Sequence, residues 1–388
     1  MSTLNVNAIN VNAIDKESGS TLTLGGAGTT VNVSNMVPDV ALSNRNLIIN
    51  GAMNVAQRGT QVTGVTSAGY YTCDRMLVQV NGLGTWTVDQ STDAPNGFSN
   101  SLKATCTTAD ASPAAGDYSI FVHRIEAQNL QNLAFGTADA KSMTLSFWVK
   151  SNKTGAATFD FLQKDNSNKM ISKSYTINSA DTWEYKTISI PADTAGVINN
   201  DNGQGFQISW WLNSGTDFSS GSLQSNWSTY DNANRNASNL GVGGAINDYL
   251  AITGVQLEVG DVATPFEHEP YAETLQKCRW YYRKSRLNRF TAVVYTPNGD
   301  TRSSPLHIGA MRAAPTISPA NYTNHSINFG PTGSATNSPI VQWNFSVVGS
   351  ELGYTMNISQ NGFYSGYPNS VVVAGAHGPG TIAFDAEL

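Results

Sequence analysis

The sequence predicts an all-β protein: a jelly-roll-like β-sandwich, then a short linking helix and a second, smaller C-terminal β-sandwich, all preceded by a short β-rich attachment segment. Three observations carry this. Apolar residues alternate with polar ones over runs of five to ten residues, the period of strands with one buried face. Gly, Asn and Asp punctuate the runs as turn residues do. Charged residues make up only 13% of the chain, so solubility rests on neutral polar side chains, as in β-built secreted and virion proteins.

Residues 1–45 are poor in aromatics and repeat VNAIN (6–10) as VNAID (11–15), with short alternating runs at 21–24 and 30–33 around Gly25, Gly26 and Gly28. Such a segment lacks the side chains for its own core, so partners from other copies or from a neighbouring protein are expected. Residues 46–268 form the larger sandwich, with strands expected at 75–80, 86–90, 101–105, 119–124, 143–150, 157–162, 184–190, 206–212 and 250–259, and a helical turn near Asn129 and Leu130. Gly260 and Asp261 end the last strand. Glu269 and Pro270 then open a linking helix over 269–285, in which Tyr271, Leu275, Cys278 and Tyr282 recur at helical spacing and share one face. Residues 286–388 return to short strands, at 290–295, 305–308, 340–348, 354–358, 370–374 and 381–384, joined by turns such as 298–300 and Asn361-Gly362.

Composition excludes several functions. A net charge of −6 and a pI near 5.3 argue against nucleic acid as a partner, since phosphate neutralisation needs a basic face. Cys73, Cys106 and Cys278 are too few and too scattered for a disulfide framework or a CxxC metal site. No apolar run is long enough to span a membrane, and no signal peptide opens the chain. Synthesis in a host cytoplasm and release within a particle are therefore expected. There is no HExxH, no nucleophile elbow, and the candidate acids Asp160, Asp165, Glu184, Asp201, Asp217 and Asp248 lie singly, so a binding protein rather than an enzyme is expected.

Several phrases in order resemble bacteriophage tail-fibre and related virion proteins: NLIINGAMNVAQRG (46–59), Asp74-Arg75, LSFWVKS (145–151), Trp183-Glu184-Tyr185, residues 252–266 with 271–282, MRAAPT (311–316) and the closing Ala386-Glu387-Leu388. The middle region is also similar to jelly-roll carbohydrate-binding modules. The first resemblance implies a homotrimeric virion appendage, its N-terminal segment attached to another virion protein and its C-terminal part adsorbing to a host-surface glycan. A tail fibre, a tip module and a capsid decoration protein without receptor binding remain open, with a glycan depolymerase as a further alternative. The second resemblance implies a structural Ca²⁺ held by Glu258 with Asp74 or Asp248. If the chain is a trimer, Tyr271, Leu275, Cys278 and Tyr282 are the expected contacts on its axis, the alternative being that each helix packs only on its own sandwich. For a glycan the candidates are Trp227 and Tyr230, in the polar stretch 213–248, and Trp211, because in Trp210-Trp211 one ring must face each way.

Overall fold

The computed structural model describes residues 43–165, 168–286, 290–294, 301–303, 306–320, 326–327, 338–339, 344–350, 353–360, 371–374 and 381–388, and within these Ser43–Leu388 is one compact unit. The strands expected at 21–24 and 30–33 lie outside the described residues.

Eleven strands build the sandwich: β1 (Gln61–Val65), β2 (Met76–Asn81), β3 (Thr85–Ser91), β4 (Ser101–Thr108), β5 (Tyr118–Glu126), β6 (Met143–Ser151), β7 (Gly155–Gln163), β8 (Lys169–Ile177), β9 (Glu184–Ile190), β10 (Gln204–Ser214) and β11 (Tyr249–Val259). One sheet runs β1-β3-β4-β11-β6-β9 and the other β2-β5-β10-β7-β8, antiparallel throughout. Nine strands fall where alternation places them, and the expected turn is a 3-10 helix over Ala127–Leu133. β1 and β8 escape the sequence reading. In β8 Met170 and Ile171 are adjacent buried residues, because each face is covered, and the lysines at 169 and 173 mask the run.

The inner faces meet in an apolar core. Phe147 of β6 packs edge-on against Trp210 of β10 at 5.9 Å and against Tyr175 of β8 at 5.2 Å, tying the two sheets together. Trp148 is thereby turned outward beside Tyr185, with ring centroids 5.4 Å apart. The phrase at 46–59 is a clip on β11. Asn46 Oδ1 accepts from the amides of Ile48 and Leu257, its Nδ2 donates to Val255 O, and Asn50 bridges Val55 and Asp74. Gly51 lies so close that a Cβ there would sit 2.1 Å from Val255 O, which only glycine avoids.

After β11, α1 being a single turn at Thr216–Ser219 inside the β10–β11 connection, the linking helix α2 spans Tyr271–Arg279 and runs into β12 (Tyr282–Arg286). Strand β12 pairs with Thr381–Asp385, which pairs in turn with Thr316–Ala320, and Phe290–Val294 lies in a further antiparallel sheet. The closing residues then return to the sandwich. Glu387 meets Arg75, which is itself 3.4 Å over the Tyr281 ring, and Arg58 sits 3.6 Å over Tyr282. Arg312 donates to Glu126 Oε1 at 3.0 Å and to Ala386 O at 3.2 Å.

This docking corrects the axial reading at two of its four residues, which pack on their own chain. Cys278 is fully buried, Tyr282 is 6% exposed beneath Arg58, and the helix face covered by the chain itself is Thr274 and Cys278. Leu275 is half-buried and Tyr271 exposed. Cys278 and Tyr282 are thus spent on packing within one chain.

Candidate functional site

The site begins with alternation along β10. Phe206, Ile208, Trp210 and Leu212 fill the core, so Gln207, Ser209, Trp211 and Asn213 point to the outer face of the five-stranded sheet. Register aligns Gln207 with Arg124 and Leu162, Ser209 with Val122 and Asp160, and Trp211 with Ile120. The long connection after β10 folds back over this face. Its short helix brings Phe218 to 5.3 Å from the Trp211 ring, and Asn234 O accepts from Ser172 Oγ, pinning the connection to β8. Asp231 caps a 3-10 turn at Asn232–Asn234 by accepting from Ala233 N, which delivers Arg235 to the sheet.

Arg235 and Asp160 are the centre of the arrangement. Arg235 Nε donates to Asp160 Oδ2 at 2.5 Å, with side-chain exposures of 9% and 0%. The guanidinium lies 4.9 Å over the Trp211 ring and 5.8 Å from that of Tyr230, whose hydroxyl is 3.5 Å from Arg235 Nη1. Burial works against charge on Arg235, but the Asp160 carboxylate outweighs it and holds the guanidinium above its ordinary pKa. Four buried polar atoms on this face have no hydrogen-bond partner: Asp160 Oδ1, Arg235 Nη2, Trp211 Nε1 and Arg124 Nε. Each is costly to leave unpaired in a core, by roughly 1–3 kcal/mol. Their concentration sets this face apart, each atom being closed off from solvent beneath the β10–β11 connection.

Of the glycan candidates, Trp211 and Tyr230 come together here. Trp227 does not. It stacks at 6.0 Å and 19° on Phe206, meets Phe135 edge-on and donates from Nε1 to Pro191 O at 2.8 Å, so it seals the sandwich instead of facing a ligand. Trp211 is 1% exposed and backs Arg235, which leaves Tyr230, half-buried, as the ring at the rim. In the sequence Asp160 is one lone acid among several, and no local pattern marks Arg235, Arg124 or Gln207 as its neighbours. Alternation through Trp211 could have placed Gln207 and Ser209 beside it, but the loop fold that brings in Arg235 has no local signal.

The carboxylates expected for Ca²⁺ are not gathered. Glu258 accepts from Gln256 Nε2, Thr264 N and Thr264 Oγ1. Asp248, ten residues earlier and so about 30 Å away along the same run of strand, accepts from Gly243 N, Ala245 N and Lys153 Nζ. Asp74 accepts from Gln57 N and Nε2 and faces Arg58 at 3.9 Å. Burial raises the Asp74 pKa, although the Gln57 bonds and Arg58 oppose it. Among the described residues no group of three or more His, Cys, Asp or Glu is placed to hold a metal. Each acid satisfies local backbone or a neighbouring cation, which is why a plausible ligand set in sequence disperses in space.

No protein-family model matches the chain, and no curated protein does. Solved structures are similar at low identity. The enzymatically active domain of bacteriophage CBA120 tailspike protein 4 is 14% identical with a TM-score of 0.28, the match covering 55% of this chain and 21% of that one. The carbohydrate-binding module TmCBM61, in complex with β-1,4-galactotriose, is 10% identical with a TM-score of 0.28 over 56% of this chain and all of that one. The CBM22-1–GH10 modules of Clostridium thermocellum xylanase 10B, complexed with xylohexaose, are 11% identical with a TM-score of 0.26 over 57% of this chain and 29% of that one. The chain thus spans about a fifth of the tailspike chain's length.

Proposed function

We propose that this chain binds glycans on the outer face of the five-stranded sheet, and that it does so as a homotrimeric tail-fibre protein adsorbing a bacteriophage to its host. The observation that carries the binding reading is the set of unpaired buried polar atoms around Trp211. A sugar hydroxyl both donates and accepts, so where the connection over Trp211 gives way to a ligand, one hydroxyl of a vicinal pair suits Asp160 Oδ1 as acceptor and its neighbour suits Arg235 Nη2 or Trp211 Nε1 as donor. The Tyr230 ring at the rim offers an apolar surface to the C–H face of a pyranose at little entropic cost. Binding without hydrolysis is favoured because Asp160 is committed to Arg235 and Asp231 to a cap, whereas glycoside hydrolysis needs a pair of carboxylates free to act on the bond. The virion assignment is supported by the ordered phrases from 46–59 to 386–388.

Titration of the full chain against a glycan array, followed by Tyr230→Ala, tests the site. About tenfold weaker binding is expected, the loss of one aromatic anchor, with an unchanged melting temperature since Tyr230 is half-exposed. Wild-type affinity in both Tyr230→Ala and Arg235→Lys would remove the site from consideration. Labelling the chain in images of the particle tests the second half of the reading: label on the capsid shell in place of the tail refutes a fibre.

A further inference from the structure

We infer that the outer face of the six-stranded sheet carries a second saccharide site, separate from the face of Asp160 and Arg235. In it Trp183, Tyr185, Trp148 and Phe98 meet the C–H faces of a neutral pyranose chain, and Lys150 and Asp93 bond its hydroxyls. Two of the ordered phrases, at 145–151 and 183–185, supply most of these residues. Phe147 and Val149 of β6 point into the core, so Trp148 and Lys150 point outward. Register sets Trp148 between Tyr185 and Thr253, and Lys150 beside Ala251. Trp183 lies one residue before β9 with the parity of Tyr185, so the two side chains stand on this face about 7 Å apart along the strand.

Strand β11 completes the row of rings. Its register slips between Thr253 and Gln256, and Gly254 within the slip has a φ of 59°. A Cβ there would lie 2.7 Å from Phe98 Cζ and 3.0 Å from Trp148 Cδ1, so the missing side chain lets both rings lie against the strand. Trp148 is 5.4 Å from Tyr185 on its other side. Tyr185 is 42% exposed and the other three rings are half-buried, so the row is open to solvent, unlike Trp211 beneath its loop.

The polar groups beside the rings are held in place. Asp93 accepts from Trp183 Nε1 at 3.0 Å through Oδ1 and from Lys150 Nζ at 2.9 Å through Oδ2, while Ser91 Oγ and Ser101 Oγ pin its backbone. Burial works against charge on Asp93, but Lys150 and Trp183 outweigh it and hold the carboxyl below its ordinary pKa. The carboxylate is 44% exposed with lone pairs to spare, and the ammonium has two further N–H donors. An acceptor and a donor side by side suit the vicinal hydroxyls of a sugar whose C–H face lies on the rings. Their charges cancel, which suits a neutral chain. A second protein copy seated on the same rings would strip water from this ion pair at a net cost, whereas sugar hydroxyls take the place of that water.

Calorimetric titration of the full chain against neutral oligosaccharides (cello-, xylo-, manno- and galactohexaose), with light scattering alongside, tests the site. At least one hexaose is expected to bind. Tyr185→Ala should weaken it about tenfold at an unchanged melting temperature, and Trp183→Phe, which keeps a ring but loses the Asp93 bond, should weaken it less. Binding here is expected to persist in Tyr230→Ala, since the two faces lie on opposite sides of the core. Wild-type affinity in Tyr185→Ala, binding that is lost in Tyr230→Ala alone, or no binding of any hexaose each overturns the second site. A lower molecular mass of Tyr185→Ala in solution makes the row a contact between copies and overturns it as well. The five-stranded face is judged separately, by Tyr230→Ala, so either site can fail while the other stands.

Discussion

At the scale of single residues, what a tryptophan does here depends on which side of a strand it occupies. Trp210 and Trp211 are neighbours, yet one is sealed between the sheets against Phe147 and the other lies under Arg235 and Phe218 on the outer face. The sequence states that they diverge, since alternation is a property of the extended backbone. Trp227 shows the limit. Its polar neighbours suggested exposure, but the loop folds so that the indole covers Phe206 and Phe135, an apolar contact that no local pattern announces. Trp227→Ala is therefore expected to lower unfolding free energy by about 3 kcal/mol, the cost of emptying an aromatic site, in urea titration. Glycan affinity at the remaining folded protein should stay at the wild-type level.

Among the elements, α2 is short and its amphipathic pattern outlasts it. Helical spacing grouped Tyr282 with Cys278, but the helix ends at Arg279 and the chain enters β12, so Tyr282 leaves the helical phase and meets Arg58 instead. The docking of α2, β12 and the closing residues relies on cations placed over rings and on ion pairs of unequal burial. Arg75 and Glu387 have side-chain exposures of 1% and 5%, whereas Asp385, 3.0 Å from Arg58, is 38% exposed. Glu387→Gln should cost on the order of 3 kcal/mol, because it leaves a buried guanidinium without its counter-charge. Asp385→Asn should cost less than about 1 kcal/mol, water screening the exposed partner. Equilibrium unfolding of the two variants side by side checks the order, and equal losses would refute the role given to burial.

For the whole molecule, stability near neutral pH is expected to turn on His123. It is fully buried on the inner side of β5, Nδ1 has no hydrogen-bond partner, and burial, helped by Arg75, pushes its pKa well below 6.5. The folded chain keeps this ring neutral while the unfolded chain protonates it, so its contribution is present above pH 6.5 and is lost as pH falls below that value, with a slope of up to about 1.4 kcal/mol per pH unit. Unfolding measured between pH 7 and 5.5 should show the decline, and His123→Gln should flatten it. By itself the sequence determined the all-β class, nine of the sandwich strands, the helix start after Pro270 and the divergence of Trp210 from Trp211, because period, turn residues and alternation are local consequences of backbone geometry. Only the tertiary structure decided that Asp160 meets Arg235, 75 residues away in sequence, that Trp227 is core, that Glu258, Asp74 and Asp248 are dispersed, and that Cys278 and Tyr282 are buried within their own chain. Those outcomes depend on how a long loop and the closing residues fold back onto a sheet, where partners are set by distance in space and the sequence between them carries no periodic mark of the meeting.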